Sequence, residues 1–211
     1  MLGQEESHKT KIILASASPR RKQVFETMGL DFEIISPMDC VEECNGDPYE
    51  VVSVNSIYKA ENVFEGRGYR KLEGTRGKKD SRFLISSFDT IVSIDGRILG
   101  KPSGPKEAHE YISLLSGRVH RVISGVCVLD SRTGKYKCGS STTEVWFRSL
   151  SKNEISNYIL SGDVLDKAGA YNINGPGSVL VEKINGCFFN VAGVPVSEYI
   201  GLLEKFNYKI L

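Results

Sequence analysis

Residues 11–29, KIILASASPRRKQVFETMG, decide the fold class of this chain. The apolar run Lys11–Ser16 predicts a short buried strand. Ser18 and Pro19 then supply an N-cap and a first helical residue, and Gly29 ends the helix. A strand that passes at once into a helix is typical of an α/β protein.

Strand and helix patterns continue to alternate after residue 29, and hairpins appear among them. The turn Asp95-Gly96 is a strong hairpin signal, so we predict a mixed sheet with flanking helices rather than a purely parallel sheet. Further strands are predicted over 31–37, 83–95, 121–130 and 136–148, and a hairpin over 178–193 around Asn185-Gly186. Further helices are predicted from Asp47-Pro48, with Val51, Val54 and Tyr58 on the apolar side, and from Pro105 to Ser116. The capping box Ser151-x-x-Glu154 predicts another helix, and Ser197 caps the last one.

Composition excludes several classes of protein. The chain has 211 residues and a net charge of +1, which argues against an electrostatic nucleic-acid binder. Five cysteines, an odd number, do not indicate a disulfide framework. No apolar run reaches the length of a membrane span, and the polar tail 1–10 lacks the apolar stretch of a signal peptide. We therefore expect a cytoplasmic protein without membrane or nucleic-acid partners.

Residues 66–82, GRGYRKLEGTRGKKDSR, interrupt the regular pattern. They hold four glycines and seven Lys or Arg residues. This composition favours a solvated surface loop, although a basic segment can also attract phosphates.

Three polar motifs carry the candidate chemistry. Ser18-Pro19-Arg20-Arg21-Lys22 places three cations in the first turn of a helix, where the macrodipole is already positive, and an anion at that site would relieve the conflict. Asp89 interrupts an apolar strand, and the following hairpin brings Lys101 back beside it. The third motif is the small-residue stretch Asp166–Tyr171, DKAGAY, where backbone can approach a ligand closely. Each motif alone also fits a purely structural role.

Taken in order, these motifs resemble those of the Maf family of nucleoside triphosphate pyrophosphatases. The resemblance covers residues 11–205 and rests on the blocks LASASPRR at 14–21, DTIV at 89–92, GKP at 100–102, LSGRVH at 115–120, DKAGAY at 166–171, ING at 184–186 and NVAG at 190–193.

The resemblance implies a single elongated α/β domain with two lobes about a cleft, related to the inosine triphosphate pyrophosphatases. It implies a homodimer that hydrolyses a nucleoside triphosphate to the monophosphate and pyrophosphate. The DKAGAY form is similar to that of the dTTP and UTP branch of the family. The alternatives are a related pyrophosphatase with a purine or 7-methyl-GTP preference, and a nucleotide-binding regulator with little turnover.

Matching positions give each site residue its expected role. The resemblance implies that Asp89 activates water, with Lys59 and Lys101 as catalytic cations. It implies Mg²⁺ or Mn²⁺ held by Asp89 and by Glu43, with Glu42 as the fallback, and sequence does not decide whether Asp89 binds metal or takes the proton. The substrate-binding residues implied are Ser16, Ser18, Arg20, Arg21, Thr90, Lys167 and Asn174.

Two departures from the family pattern affect the predicted site. Phe88 stands where the family has a small residue, and its ring can either pack behind the strand or narrow the cleft. Asn174 stands where the family has glutamine. It keeps the amide that could pair with a pyrimidine but reaches one methylene less. We expect His120 to be a structural hydrogen-bonding residue and Trp146 and Phe147 to pack within a strand.

Overall fold

A computed structural model describes residues 10–40, 42–66, 69–70, 82–162 and 164–211. The polar segment 1–9, and residues 67–68 and 71–81 of the basic segment, lie outside the described residues. The strands are β1 (Thr10–Ala15), β2 (Phe32–Ile34), β3 (Arg82–Ile94), β4 (Arg97–Leu99), β5 (Val119–Asp130), β6 (Tyr136–Phe147) and β7 (Val181–Asn185). The α-helices are α1 (Pro19–Thr27), α2 (Pro48–Glu65), α3 (Pro105–Leu115), α4 (Lys152–Leu160), α5 (Phe188–Val191) and α6 (Val196–Glu204), and 3₁₀ turns span Ala168–Ala170 and Pro176–Leu180.

The strands form one mixed sheet in the order β2-β1-β3-β5-β6-β7, with β4 paired to β3 outside this path. β1 runs parallel to β2 and β3, whereas β3, β5, β6 and β7 pair antiparallel. The predicted mixed sheet with flanking helices is confirmed.

Helices cover both faces of the β1–β3–β5 half of the sheet. On one face, α1 and α6 contribute Phe25 and Tyr199 to an apolar cluster that also holds Phe88. On the other face, α2 contributes Ala60 and Val63 to a second cluster. Strands buried on both faces must be apolar along nearly their whole length, which explains the long apolar runs of β3 and β5.

A third cluster lies at the other end of the sheet. It is formed by α3, α4, the end of β3, the start of β5 and the end of β6, with Leu99, Ile112 and Phe147 among its buried members. The predicted inward face of α3, Ala108, Ile112 and Leu115, is confirmed as fully buried. Members of all three clusters line one cleft: Val92 of the third cluster, Ala192 of the first and Ala15 of the second.

Three local predictions were wrong. Val54 and Tyr58 are 51% and 44% exposed, because α2 turns a partly polar face containing Asn55, Ser56 and Lys59 toward the sheet. The segment 178–193 is not a hairpin: β7 pairs with β6, and the chain after Gly186 enters α5. The last helix begins at Val196 with Pro195 at the N-cap, not Ser197, since Pro195 ends the preceding loop.

Candidate active site

The cleft opens beside the middle of β3. The neighbouring strand β1 ends at Ala15, opposite Ser87, and on that edge pairing resumes only at Val92, opposite Leu99 of β4. Residues 88–91 of β3 therefore border a gap in the sheet, at the carboxyl end of β1. Ligands of α/β proteins commonly bind at such strand ends, and the cleft here has a volume of about 430 Å³.

A buried ion-pair cluster lies at the centre of the cleft. Lys59 Nζ is 2.6 Å from Asp89 Oδ1 and 2.7 Å from Glu42 Oε1. The Lys59 and Asp89 side chains are only 9% and 6% exposed, whereas Glu42 is 34% exposed. Burial opposes ionisation of Glu42, but Lys59, Lys101 and Arg21 together outweigh burial and hold the pKa of Glu42 below its usual value. One ammonium thus bridges two carboxylates that face the same cleft.

Asn55 completes this cluster, although it belongs to none of the predicted motifs. Its Nδ2 donates to Asp89 Oδ2 at 3.0 Å, and the residue is 3% exposed. The signal available in the sequence was the helical spacing of Asn55 and Lys59 on one face of α2. Burial of that face requires partners for both polar side chains.

The turn from β1 into α1 forms one wall, which contains the predicted substrate-binding residues Ser16, Ser18, Arg20 and Arg21. Ser18 occupies the N-cap position of α1 as predicted, but its side chain makes no capping bond. The first-turn N–H groups are therefore not used by the cap, which leaves them suited to an anion.

Arg21 is anchored within this wall by three hydrogen bonds. It donates to the Gly193 carbonyl at 3.0 Å, to Thr90 Oγ1 at 3.2 Å and to Ser16 Oγ at 3.4 Å. Burial lowers the pKa of Arg21 to about 10, although Asp89 favours its charged form. Arg21 stays cationic at neutral pH in a fixed orientation.

Phe88 packs behind the strand and does not narrow the cleft. Its ring is fully buried and meets Phe25 and Tyr199 edge-on, with ring centroids 5.7 and 5.4 Å apart. Side chains alternate along a strand, so placing Phe88 on the α1 side places Asp89 on the α2 side.

Lys101 and Thr90 also line the cleft. The Lys101 side chain is 58% exposed, with its ammonium 3.5 Å from Glu42 Oε2. Thr90 Oγ1 lies 2.9 Å from Ser124 Oγ, a buried hydroxyl that donates to the Asn190 carbonyl. The hairpin does bring Asp89 and Lys101 to one cleft.

Three predicted site residues are not among the described residues that line the cleft. Glu43 is exposed, and it is Glu42 that faces the cleft. Lys167 is buried and paired with Asp166, while its neighbours on both sides line the cleft. Asn174 is exposed, and its N–H donates to Asn172 Oδ1 within a turn.

The opposite wall is apolar, and Ala168 and Tyr171 of this wall belong to the predicted small-residue motif Asp166–Tyr171. It is formed by Val92, Val122, Ala168, Tyr171 and Val191. The Tyr171 hydroxyl lies 2.9 Å from His120 Nε2, and His120 is 2% exposed. The structural role predicted for His120 agrees with this buried contact.

The donor set for a divalent metal is small. Among the described residues, no group of three or more His, Cys, Asp or Glu side chains could hold a metal ion by itself. Mg²⁺ usually binds proteins through one or two carboxylates and takes its other ligands from phosphates and water. Glu42 and Asp89 fit that pattern.

Comparison with known proteins gives a match over nearly the whole chain. Residues 11–206 match the family described as Maf-like protein. A dTTP/UTP pyrophosphatase of Dictyoglomus thermophilum is 41% identical over 206 residues, covering 96% of this chain and 100% of that protein. A dTTP/UTP pyrophosphatase of Thermococcus gammatolerans is 42% identical over 200 residues, covering 95% of this chain and 98% of that protein.

A likeness to solved structures is much weaker. A HAM1 protein from Coxiella burnetii matches 65% of this chain and 73% of that chain, with a TM-score of 0.42 and 13% sequence identity. A likeness at this level carries no conclusion about the fold. Within the described residues, no helix is both long and apolar enough to cross a membrane.

Proposed function

The chain belongs to the Maf-like protein family, and from this membership and the cleft we propose that it is a nucleoside triphosphate pyrophosphatase. It hydrolyses dTTP and UTP to the monophosphate and pyrophosphate. The observation that carries the proposal is the buried Asp89 carboxylate, fixed by Lys59 and Asn55 and bordered by Arg21 and Lys101 in a cleft with an apolar wall.

The triphosphate binds along the turn between β1 and α1. The first-turn N–H groups of α1 and the Arg20 and Arg21 side chains offer donors to phosphate oxygens. Lys101 projects from the opposite side, and most of its side chain is exposed. Its ammonium group can therefore move to contact the triphosphate in the cleft. These cations neutralise the pyrophosphate as it leaves.

The reaction is attack of water on the α-phosphorus. The bond from that phosphorus to the bridging oxygen breaks, pyrophosphate leaves, and the proton lost by the water passes to Asp89. Both Asp89 oxygens accept one bond from the protein, and each carboxylate oxygen has a second lone pair. Asp89 can therefore orient the water while it stays fixed.

The proposed cofactor is Mg²⁺ or Mn²⁺. Glu42 would hold it together with phosphate oxygens and water, and Glu42 replaces the predicted Glu43 because its side chain faces the cleft. Asp89 takes the proton in the proposed reaction and is therefore not proposed as a ligand of the ion. When bound, such an ion neutralises charge on phosphate oxygens.

The apolar wall of Val92, Val122 and Tyr171 is the proposed surface for the base. A pyrimidine ring presents flat apolar faces, which favours packing against these side chains. Asn174 does not line the cleft, so the proposed base preference does not depend on its amide.

A panel of nucleotides tests the function. The purified protein is incubated with dTTP, UTP, dCTP, GTP, ITP and 7-methyl-GTP and with Mg²⁺ or Mn²⁺, and pyrophosphate is measured separately from orthophosphate. We expect pyrophosphate, released fastest from dTTP or UTP. Fastest release from a purine nucleotide would keep the reaction and refute the base preference.

The Asp89→Asn variant is the matched control for this assay. It keeps the shape of the side chain but removes the proton acceptor, so turnover should collapse while binding of a non-hydrolysable dTTP analogue persists. If the wild-type protein binds nucleotide but does not hydrolyse it, the result would instead indicate a nucleotide-binding regulator.

We also propose a homodimer located in the cytoplasm. The dimer is supported by the family resemblance alone, and the location by the sequence reasoning above. Light scattering of the purified protein and fractionation of cells would test the two statements separately.

A further inference from the structure

The segment between β2 and α2 is attached to α2 by two asparagines that make the same pair of bonds. Asn62 accepts from the Met38 N–H and donates to the Met38 carbonyl, both at 2.9 Å. Asn55 accepts from the Glu43 N–H at 2.8 Å and donates to the Glu43 carbonyl at 2.9 Å. The asparagines are seven residues apart, so they lie two turns apart on one face of the helix.

The two attachments differ in what else the side chain reaches. Asn62 lies at the solvent-exposed end, where its bonds to Met38 are exposed. Asn55 is 3% exposed and uses its second N–H to donate to Asp89 Oδ2 at 3.0 Å. A single amide thus joins the segment that carries Glu42, the helix that carries Lys59, and the strand that carries Asp89.

The partners of Asn55 determine which way its amide faces. Glu43 N–H is a donor and requires the amide oxygen, whereas the Glu43 carbonyl and the Asp89 carboxylate are acceptors and require the two N–H groups. All of the N–H groups of the amide are used. A side chain of another length or charge cannot reproduce the three bonds.

We propose that Asn55 is a positioning residue for the hydrolysis. It sets the spacing between Glu42 and Asp89, so that the Lys59 ammonium can bridge both carboxylates, and it holds Asp89 in the orientation that takes the proton. Asn55 acts through Asp89 and Glu42 and touches no reacting atom. This inference rests on the proposed function and concerns the same cleft.

The test compares Asn55→Ala with Asn62→Ala. Both variants lose an attachment of the same segment, but only the first loses the bond to Asp89. Pyrophosphate release from dTTP gives kcat and KM, thermal unfolding gives stability, and amide hydrogen exchange reports on peptides that span residues 38–44. Asn55→Gln is the second variant, because it keeps an amide but displaces it by one methylene.

We expect kcat of Asn55→Ala to fall by about 100-fold, the loss that a displaced catalytic group typically causes, while KM changes far less. The kcat of Asn55→Gln should lie between that of Asn55→Ala and that of wild type. Asn62→Ala should keep kcat close to that of wild type, because the bonds of Asn62 to Met38 are exposed and do not reach Asp89. Both alanine variants should exchange faster over residues 38–44.

Rates are compared at a temperature where every variant is folded, which separates positioning from stability. Asn55→Ala with lowered stability but wild-type kcat would overturn the inference and leave the proposed function intact. An equal loss of kcat in Asn62→Ala would overturn it as well, since the bond to Asp89 would then be irrelevant. Wild-type protein that releases no pyrophosphate from any nucleotide would refute the proposed function and this inference together.

Discussion

Replacing Lys59 by methionine leaves two carboxylates facing each other without their shared cation. Lys59 lies 2.6 Å from Asp89 and 2.7 Å from Glu42. At an effective dielectric constant of about 20, each contact is worth about 6 kcal/mol of attraction before desolvation is subtracted. Desolvation cancels much of that gain in the intact protein. In the variant the Asp89 carboxylate stays buried and keeps its bond from Asn55, but it has lost its ion-pair partner.

Breaking a buried ion pair by removing one partner typically costs about 3–5 kcal/mol. Glu42 is 34% exposed and can turn toward water, so Asp89 accounts for most of the cost. For a chain of this size the loss corresponds to a fall in Tm of about 6–20 °C.

Thermal unfolding followed by circular dichroism measures the effect, and two further variants identify its cause. Lys59→Met/Asp89→Asn should be more stable than Lys59→Met alone, because it removes the uncompensated charge. Lys101→Met should cost about 1 kcal/mol or less, since exposed pairs contribute little. A Tm for Lys59→Met within 2 °C of wild type, or a double variant less stable than the single one, would refute the electrostatic reasoning.

Three further predictions concern a close-packed glycine, a buried histidine and Lys101. Gly125→Ala should destabilise the protein by about 1–3 kcal/mol, because a Cβ there would lie 2.3 Å from the Val52 carbonyl oxygen. Gly139→Ala is the control in chemical denaturation, since the atoms nearest to its Cβ would belong to the flexible side chain of Glu198. Burial lowers the pKa of His120 from 6.5 to about 4, so the unfolded chain takes up a proton first as pH falls below 6.5, and about 2 kcal/mol of stability should be lost between pH 7.5 and pH 5. His120→Gln should lose less stability over that pH range. A loss identical to that of wild type would show that His120 does not cause the pH dependence. Lys101→Ala should raise KM and lower kcat for dTTP, measured by pyrophosphate release, and an unchanged KM would contradict its contact with the triphosphate.

Local pattern was sufficient to predict the order of most elements. The apolar runs of β3 and β5, the turn at Asp95-Gly96 and the capping box at Ser151 all depend on near neighbours in the chain, and all are present. The predicted hairpin over 178–193 was wrong because Asn185-Gly186 is also suited to leading a strand into a helix. Only the pairing of β7 with β6 separates the two outcomes, and that pairing is a long-range contact.

The candidate site was harder to predict because it depends on which face of each element is buried. The polar face of α2 contacts the sheet and brings Asn55 and Lys59 to Asp89, whereas the apolar Val54 and Tyr58 remain exposed. Glu42 and Glu43 differ only in register, which is set by the bonds between Asn55 and the Glu43 backbone. The motifs identified Asp89 and the β1–α1 turn, but not these tertiary contacts.

The gap beside residues 88–91 of β3 bears on how such a cleft can evolve. A strand edge offers N–H and C=O groups that nearly every amino acid supplies alike. The contacts that this edge of β3 offers to a ligand are therefore insensitive to most substitutions. A change in the size of a wall valine, such as Val92 or Val122, would reshape the space for the base and leave the strand edge and the ion pairs in place. Both valines also belong to a buried apolar cluster, so such a change costs stability. Divergence in substrate choice is therefore open to single substitutions. Alternate residues of 88–91 direct their N–H to the gap, because the others bond to β5, and a proline at one of these alternate positions would remove an N–H group that all such variants share.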